Sequence, residues 1–225
     1  MRKMWGPFLI VALVCGFMMF TMTGCSDDDP VQPPDNDDPV VLPANPDALM
    51  MGFRQAFDDM DLELLATLIH PDFKGMLTAS TLAEWASAGS PLLFTYFERD
   101  TVVAIHENIF AGETGRRPSG DTVPPVHSIE VDLLSKATEW EAISAGDEHF
   151  GGQGGYWALF HLNISFYLPD GSRFNVQQDI EFYVVPVEID GVLGYQLLGW
   201  REIEPFGALK VTESATLGGV LTLYR

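Results

Sequence analysis

His161 and Asp179 are the first residues to weigh, because an imidazole facing a carboxylate is the smallest pair able to do general acid–base chemistry. They stand on either side of Pro169-Asp170-Gly171, a turn sequence between two alternating runs. His106-Glu107 is a second candidate, but a zinc-binding helix needs another histidine one turn away, and none stands there. His70 comes directly before Pro71 and reads as a surface or cap residue. The glycine run Gly151-Gly152-Gln153-Gly154-Gly155 has no Lys-Ser/Thr after it and opens a strand, whereas phosphate cradling needs a helix N-terminus. No serine sits in a Gly-x-Ser-x-Gly elbow, so a hydrolase triad has no support.

Whether His161 and Asp179 act on anything depends on the strands that carry them. Side chains alternate faces along a strand. In the first run Tyr156, Ala158, Phe160, Leu162, Ile164, Phe166 and Leu168 share one face, opposite Trp157, Leu159, His161, Asn163, Ser165 and Tyr167. In the second, Phe174, Val176, Gln178, Ile180, Phe182 and Val184 oppose Arg173, Asn175, Gln177, Asp179, Glu181 and Tyr183. A two-residue Asp-Gly loop pairs Phe166 with Asn175 and mixes the faces. A three-residue Pro-Asp-Gly loop instead pairs Leu168 with Ser172, Phe166 with Phe174, Ile164 with Val176 and Phe160 with Ile180. This register predicts His161 opposite Asp179, Leu159 opposite Glu181 and Trp157 opposite Tyr183, all on the mixed face. A cross-strand polar pair of that kind contributes under ~1 kcal/mol. The candidate pocket lining is then the dry face: Tyr156, Phe160, Gln178, Ile180 and Phe182, with Gln178 able to orient a ligand but not to act as a base.

The N-terminus speaks to location. Met1-Arg2-Lys3 precedes an apolar stretch from Trp5 to Thr21, and Met22-Thr23-Gly24-Cys25 follows. The layout is that of a secretory signal over residues 1–24. It resembles the lipobox of bacterial lipoproteins, in which small residues precede the cysteine that is lipidated. The resemblance implies Cys25 as the lipidated residue, palmitate-type acylation, and a cell-envelope protein held on a membrane. Cys15, the other cysteine, falls inside the signal, so the mature domain would have neither disulfide nor thiol chemistry. Residues 25–46, with Asp27-Asp28-Asp29-Pro30 and Pro33-Pro34-Asp35, are too acidic and proline-rich to fold and read as a tether. Fully extended at about 3.1 Å per residue, it reaches about 60 Å. The acidic cluster after the cysteine also resembles surface-export signals of some Bacteroidetes-type lipoproteins, but a plain soluble spacer is the preferred reading. With 12 basic against 32 acidic residues and a net charge of −20, nucleic acid is a poor partner.

Residues 47–225 form the single predicted domain. Asn45-Pro46 is a helix start, and Leu49, Met50, Phe53, Phe57 and Met60 recur at helical spacing. Asp61 restarts the pattern for Leu62, Leu65, Leu68 and Ile69, which His70-Pro71 ends. Residues 73–77 read as extended and 81–88 as a short helix. Residues 92–110 fit neither period and are read as a helix or turn followed by a strand. Residues 112–125 read as loop and 126–134 as a strand. Pro186 breaks the second hairpin strand near its end, Asp190-Gly191 marks a turn, residues 195–203 form a further strand, and Gly218-Gly219 precede a last one.

Helices followed by long strands give an α+β order, N-terminal helices packed on a curved antiparallel sheet. The Leu49-Phe53-Phe57 helix, the Asp61 restart, the His70-Pro71-Asp72-Phe73 exit and the strand Gln196–Ile203 carrying Trp200 together resemble the nuclear transport factor 2-like (SnoaL-like) superfamily. The resemblance implies a cone-like fold with a pocket between helices and concave sheet. It leaves function open, because that superfamily includes isomerases, dehydratases, cyclase-like proteins and non-catalytic members. The sequence leans toward a non-catalytic domain binding a small apolar ligand or a partner protein, a second copy of the chain included, with no cofactor or metal. The alternative is a pocket enzyme drawing its acid or base from the middle of the chain, such as His106 or Glu107.

Overall fold

The structure, a computed structural model, describes residues 41–203 and 214–225. The expected signal, the expected lipidation site Cys25 and the expected tether up to residue 40 lie outside the described residues. The compact unit spans Pro39–Arg225. Leu42 is already buried, and the Tyr195 N–H donates to the Pro43 carbonyl, so the chain packs on the sheet before its first helix.

α1 (Pro46–Asp58) is capped by Asn45, whose side chain accepts the Ala48 N–H at 2.8 Å. It buries Leu49, Met50, Phe53, Ala56 and Phe57. Met60, at φ 52°, turns the chain out of the helix, and Asp61 then caps α2 (Leu62–Leu68) by accepting the Leu64 N–H. β1 (Ile69–Met76) leads to α3 (Ala79–Ser87), capped by Thr78. The ambiguous stretch resolves in the opposite order to the one expected: β2 (Tyr96–Glu98) comes first and α4 (Arg99–Phe110) follows. Val102, Ile105, His106 and Ile109 do share one helical face, but the β-branched run around Val102-Val103 hides it at sequence level.

β3 (Gly115–Arg116) and β4 (Thr122–Val123) make a small separate hairpin where a loop was expected. β5 (Ser128–Lys136), β6 (Glu141–Ala142), β7 (Tyr156–Tyr167), β8 (Arg173–Ile189) and β9 (Val192–Glu202) follow. β10 (Ser214–Ala215) and α5 (Leu217–Leu223) end the chain. The main sheet runs β2-β1-β9-β8-β7-β5, with β10 on β8 and β6 on β7. Its long strands are antiparallel, while β1 joins β9 and β10 joins β8 in parallel, so the sheet is mixed.

The β7–β8 register is the three-residue one: Phe166 faces Phe174, Phe160 faces Ile180, His161 faces Asp179 and Trp157 faces Tyr183. The Leu168 N–H closes the loop on the Ser172 carbonyl, with Gly171 at φ 84°. β8 runs through Pro186, which pairs with Tyr195 on β9. Its missing N–H costs nothing there, because β7 stops opposite Val184 and leaves that side of β8 open. Asp190 and Gly191, both at positive φ, close the β8–β9 hairpin.

Helices cover the dry face and the main core lies between. Phe53 meets Phe182 at 5.4 Å between ring centroids and Phe57 meets His106 at 5.1 Å. A second, smaller core sits on the opposite face, where Phe150 from the segment before β7 stacks on Tyr183 at 4.0 Å, beside Val185 and Leu198. The mixed face is thus covered at the Trp157–Tyr183 end and open at the His161–Asp179 end. No helix among the described residues is long and apolar enough to cross a membrane.

Candidate functional site

The pairing that puts the dry residues inward leaves His161 and Asp179 on the outer face. Nδ1 of His161 lies 2.6 Å from Oδ1 of Asp179, with the side chains 53% and 47% exposed. Solvent reaches both, so the pair is a surface contact. Toward the covered end the same face carries a tighter cluster. Arg201 pairs with Asp147 at 3.2 Å and Glu181 at 3.1 Å, over the Tyr183 ring, while the Tyr183 hydroxyl donates to Glu181 at 2.7 Å. Burial pushes the Tyr183 phenol far up, and Glu181 adds to that. Burial opposes ionisation of Asp147 too, but the N–H groups of Phe150 and His149, with Arg201, hold its carboxyl below the ordinary range. These contacts fasten the segment before β7 onto the sheet.

His106 is fully buried on α4 between Phe57 and Phe110. Its Nδ1 is 2.7 Å from the Val102 carbonyl, so Nδ1 carries the proton and Nε2 keeps a lone pair with no partner among the described residues. Burial drives its pKa down from 6.5 to about 4. The ring is neutral at physiological pH and walled in by aromatics, which makes it a core residue. Glu107 is exposed. Among the described residues no cluster of three or more His, Cys, Asp or Glu side chains is placed to hold a metal.

On the dry face Phe160, Ile180 and Phe182 are core residues, and Phe160 packs on Trp140 and Phe182. Tyr156 stands at the rim, 38% exposed, near Tyr195. Gln178 is 7% exposed, and its Oε1 accepts the Leu217 N–H at 3.3 Å. The carboxylate of Glu202 accepts the Gly218 N–H. The space over Gln178 therefore holds α5, with Leu217, Val220, Leu221 and Tyr224 buried. The tail expected as a strand is helical because the sheet groups receive its first N–H groups and Thr216 caps it onto Gly219. Further ties hold the helix: Trp85 donates to Thr222, Asn108 to the Tyr224 carbonyl, and the Tyr224 hydroxyl to the Pro124 carbonyl. Burial raises that phenol to about 12.

α5 fills the middle of the concave face and leaves an opening at one end. A cleft of about 470 Å³ lies between α3, α5, the β3–β4 turn and the start of β8. Phe174, on the same dry face as Gln178, lines it together with Trp85, Arg117, Thr81, Thr216 and Leu223. The Arg117 guanidinium lies 5.9 Å from the centre of the Phe174 ring. Sequence reasoning placed Phe174 on the correct face but did not single it out, and it gave no site role to Trp85, Arg117, Thr81 or Thr216. Their common position depends on α5, which the sequence pattern did not reveal.

No protein-family model and no curated relative matches the chain. Among solved structures it is similar to a conserved protein from Planctomyces limnophilus, at 11% identity, TM-score 0.44, over 70% of this chain and 94% of that one. It is also similar to an NTF2-like protein of unknown function in nutrient uptake from Rhodospirillum rubrum, at 14% identity, TM-score 0.37, over 68% of this chain and 93% of that one. A third is AusH from Aspergillus nidulans, at 13% identity, TM-score 0.37, over 71% of this chain and 85% of that one.

Proposed function

We propose that the protein is a bacterial envelope lipoprotein, held on a membrane through Cys25, whose nuclear transport factor 2-like domain binds a small ligand without transforming it. One observation carries the binding half of this reading. The centre of the concave face is closed by the chain's own α5, and the opening that remains is lined by aromatic rings, hydroxyls, one guanidinium and the carboxylate of Glu84. Its volume falls within the usual range of ligand sites, roughly 300–1,000 Å³. Among the described residues no histidine lines it. His106 is enclosed in the core, and His161 is on the opposite face of the sheet. The groups at hand suit holding and orienting a ligand.

Anchoring rests on Met22-Thr23-Gly24-Cys25 and the acidic, proline-rich stretch that follows. Metabolic labelling with a palmitate analogue tests it: the wild-type chain incorporates label and the Cys25→Ser chain does not. Equal labelling of both removes the anchor from the proposal. For the binding half, native mass spectrometry of the full chain from its own membrane is the direct experiment. A co-purifying small molecule whose occupancy falls in a Phe174→Ala chain supports the cleft, and occupancy unchanged by that substitution places the ligand elsewhere.

A further inference from the structure

The cleft at the Phe174 end holds a hydrogen-bond donor without an acceptor among the described residues, and that donor narrows the ligand class. Thr78 Oγ1 donates to Thr81 Oγ1 at 3.0 Å, and the Thr81 and Thr216 hydroxyls are 3.0 Å apart. Thr216 Oγ1 also accepts the Gly219 N–H at 2.9 Å. Each hydroxyl brings one proton. Whichever of Thr81 and Thr216 donates to the other, the receiving hydroxyl keeps a proton with no acceptor among the described residues. Both threonines line the cleft, and Thr81 is only 4% exposed. The site therefore offers a donor and asks for an acceptor.

Charge points the same way. In a chain with 12 basic and 32 acidic residues, Arg54, Arg99, Lys136 and Arg201 each pair with a carboxylate, whereas among the described residues Lys74, Arg116, Arg173 and Arg225 do not. Arg117 makes no ion pair among the described residues. It sits instead on the cleft beside the Phe174 ring. A guanidinium set against an aromatic ring is partly ordered before a ligand arrives, and a planar carboxylate matches its fork. Glu84 lines the same cleft and stands against a second negative charge. Phe174 and Leu223 supply apolar wall.

We propose that this cleft takes a monocarboxylate with an apolar body. Arg117 and the spare hydroxyl of the Thr81–Thr216 pair hold the carboxylate, and Phe174 and Leu223 hold the body. The proposal rests on the reading of the cleft as a ligand site and adds the class of ligand.

Isothermal titration of the full chain in a nonionic detergent, blanked against micelles alone, tests it with three probes sharing one ring. These are phenylacetate, its neutral amide phenylacetamide, and the dianion phenyl phosphate. Phenylacetate is expected to bind at least tenfold more tightly than either other probe. Arg117→Gln is expected to bring phenylacetate to the level of the amide, with Arg117→Lys recovering part of the difference. Arg117 is exposed, so these chains should melt like wild type in circular dichroism. Equal binding of acid and amide, tighter binding of phenyl phosphate, or indifference to Arg117→Gln overturns the monocarboxylate class. The ligand-site reading survives that result if the amide binds and Phe174→Ala weakens it. If no probe gives heat and no small molecule co-purifies with the chain, both fall.

Discussion

Lowering the pH should charge His106 against its surroundings and loosen the fold, and the size of the effect follows from where the ring sits. It is fully buried, its Nδ1–H is committed to the Val102 carbonyl, and Phe57 and Phe110 pack against it. Burial lowers its pKa from 6.5 to about 4. With the folded value below the unfolded one, the unfolded chain takes up the proton first as pH falls. The stability tied to this ring is therefore complete above about pH 6.5 and is lost between there and about pH 4. Linkage gives a loss of about 2 kcal/mol on going from pH 7 to pH 5, and about 3 kcal/mol at pH 4. His70, half-buried, has a pKa lowered by burial and partly restored by Asp72, so it pulls in the same direction and must be subtracted.

The subtraction needs a His106→Leu chain. Leucine is close to histidine in volume and removes the unpartnered Nε2, so the change at pH 7 should stay under about 1.5 kcal/mol. Urea unfolding followed by circular dichroism at pH 7 and pH 5 then gives two losses of stability, one per chain. The wild-type loss should exceed the His106→Leu loss by about 2 kcal/mol, read as a difference in midpoint at constant slope. Equal losses would falsify the reasoning, since the ring would then titrate alike folded and unfolded. That result would put solvent at Nε2 and reopen His106 as a chemical group.

Two further outcomes are expected. Gln178→Leu leaves the Leu217 N–H without its acceptor, so the domain should lose about 1–3 kcal/mol and limited proteolysis should cut first near α5. A C-terminus as resistant as wild type would mean that Gln178 does not hold the helix. His161→Ala should change the urea midpoint by less than the equivalent of about 1 kcal/mol, because its contact with Asp179 is half exposed; a larger loss would point to a ligand or partner on that face.

What the sequence disclosed was the part of the fold set by local rules. The hairpin register followed from one requirement, that Phe166 and Phe174 fall on the same side, and the turn chemistry of Pro169-Asp170-Gly171 allowed a single loop length to meet it. Asn45 and Asp61 marked their helices because a cap acts on N–H groups within three residues of itself. α5 escaped because nothing local makes it a helix: its seven residues include Gly218 and Gly219, each unfavourable by roughly 1 kcal/mol relative to Ala. Its stability is tertiary, drawn from Gln178, Glu202, Trp85 and a buried apolar face that lies far away in the chain. The order of β2 and α4 was obscured for a related reason, since Val102 and Ile105 earn a helical place only through packing on the sheet and α2.

The same tertiary logic explains why the candidate site moved along β8 without leaving its face. Gln178 is the one polar side chain among Phe174, Val176, Ile180 and Phe182, and a buried amide must find partners. It finds one in the Leu217 N–H, so the group that was to orient a ligand orients the chain's own last helix. Once α5 lies there, Thr216 becomes its cap and reaches the Thr81 hydroxyl at 3.0 Å, and the two helices α3 and α5 enclose the opening above Phe174. The helix that closes the middle of the face thus builds the wall of the cleft at its end. A substitution that loosens α5, such as Gln178→Leu, should accordingly weaken binding in the cleft without touching any residue that lines it.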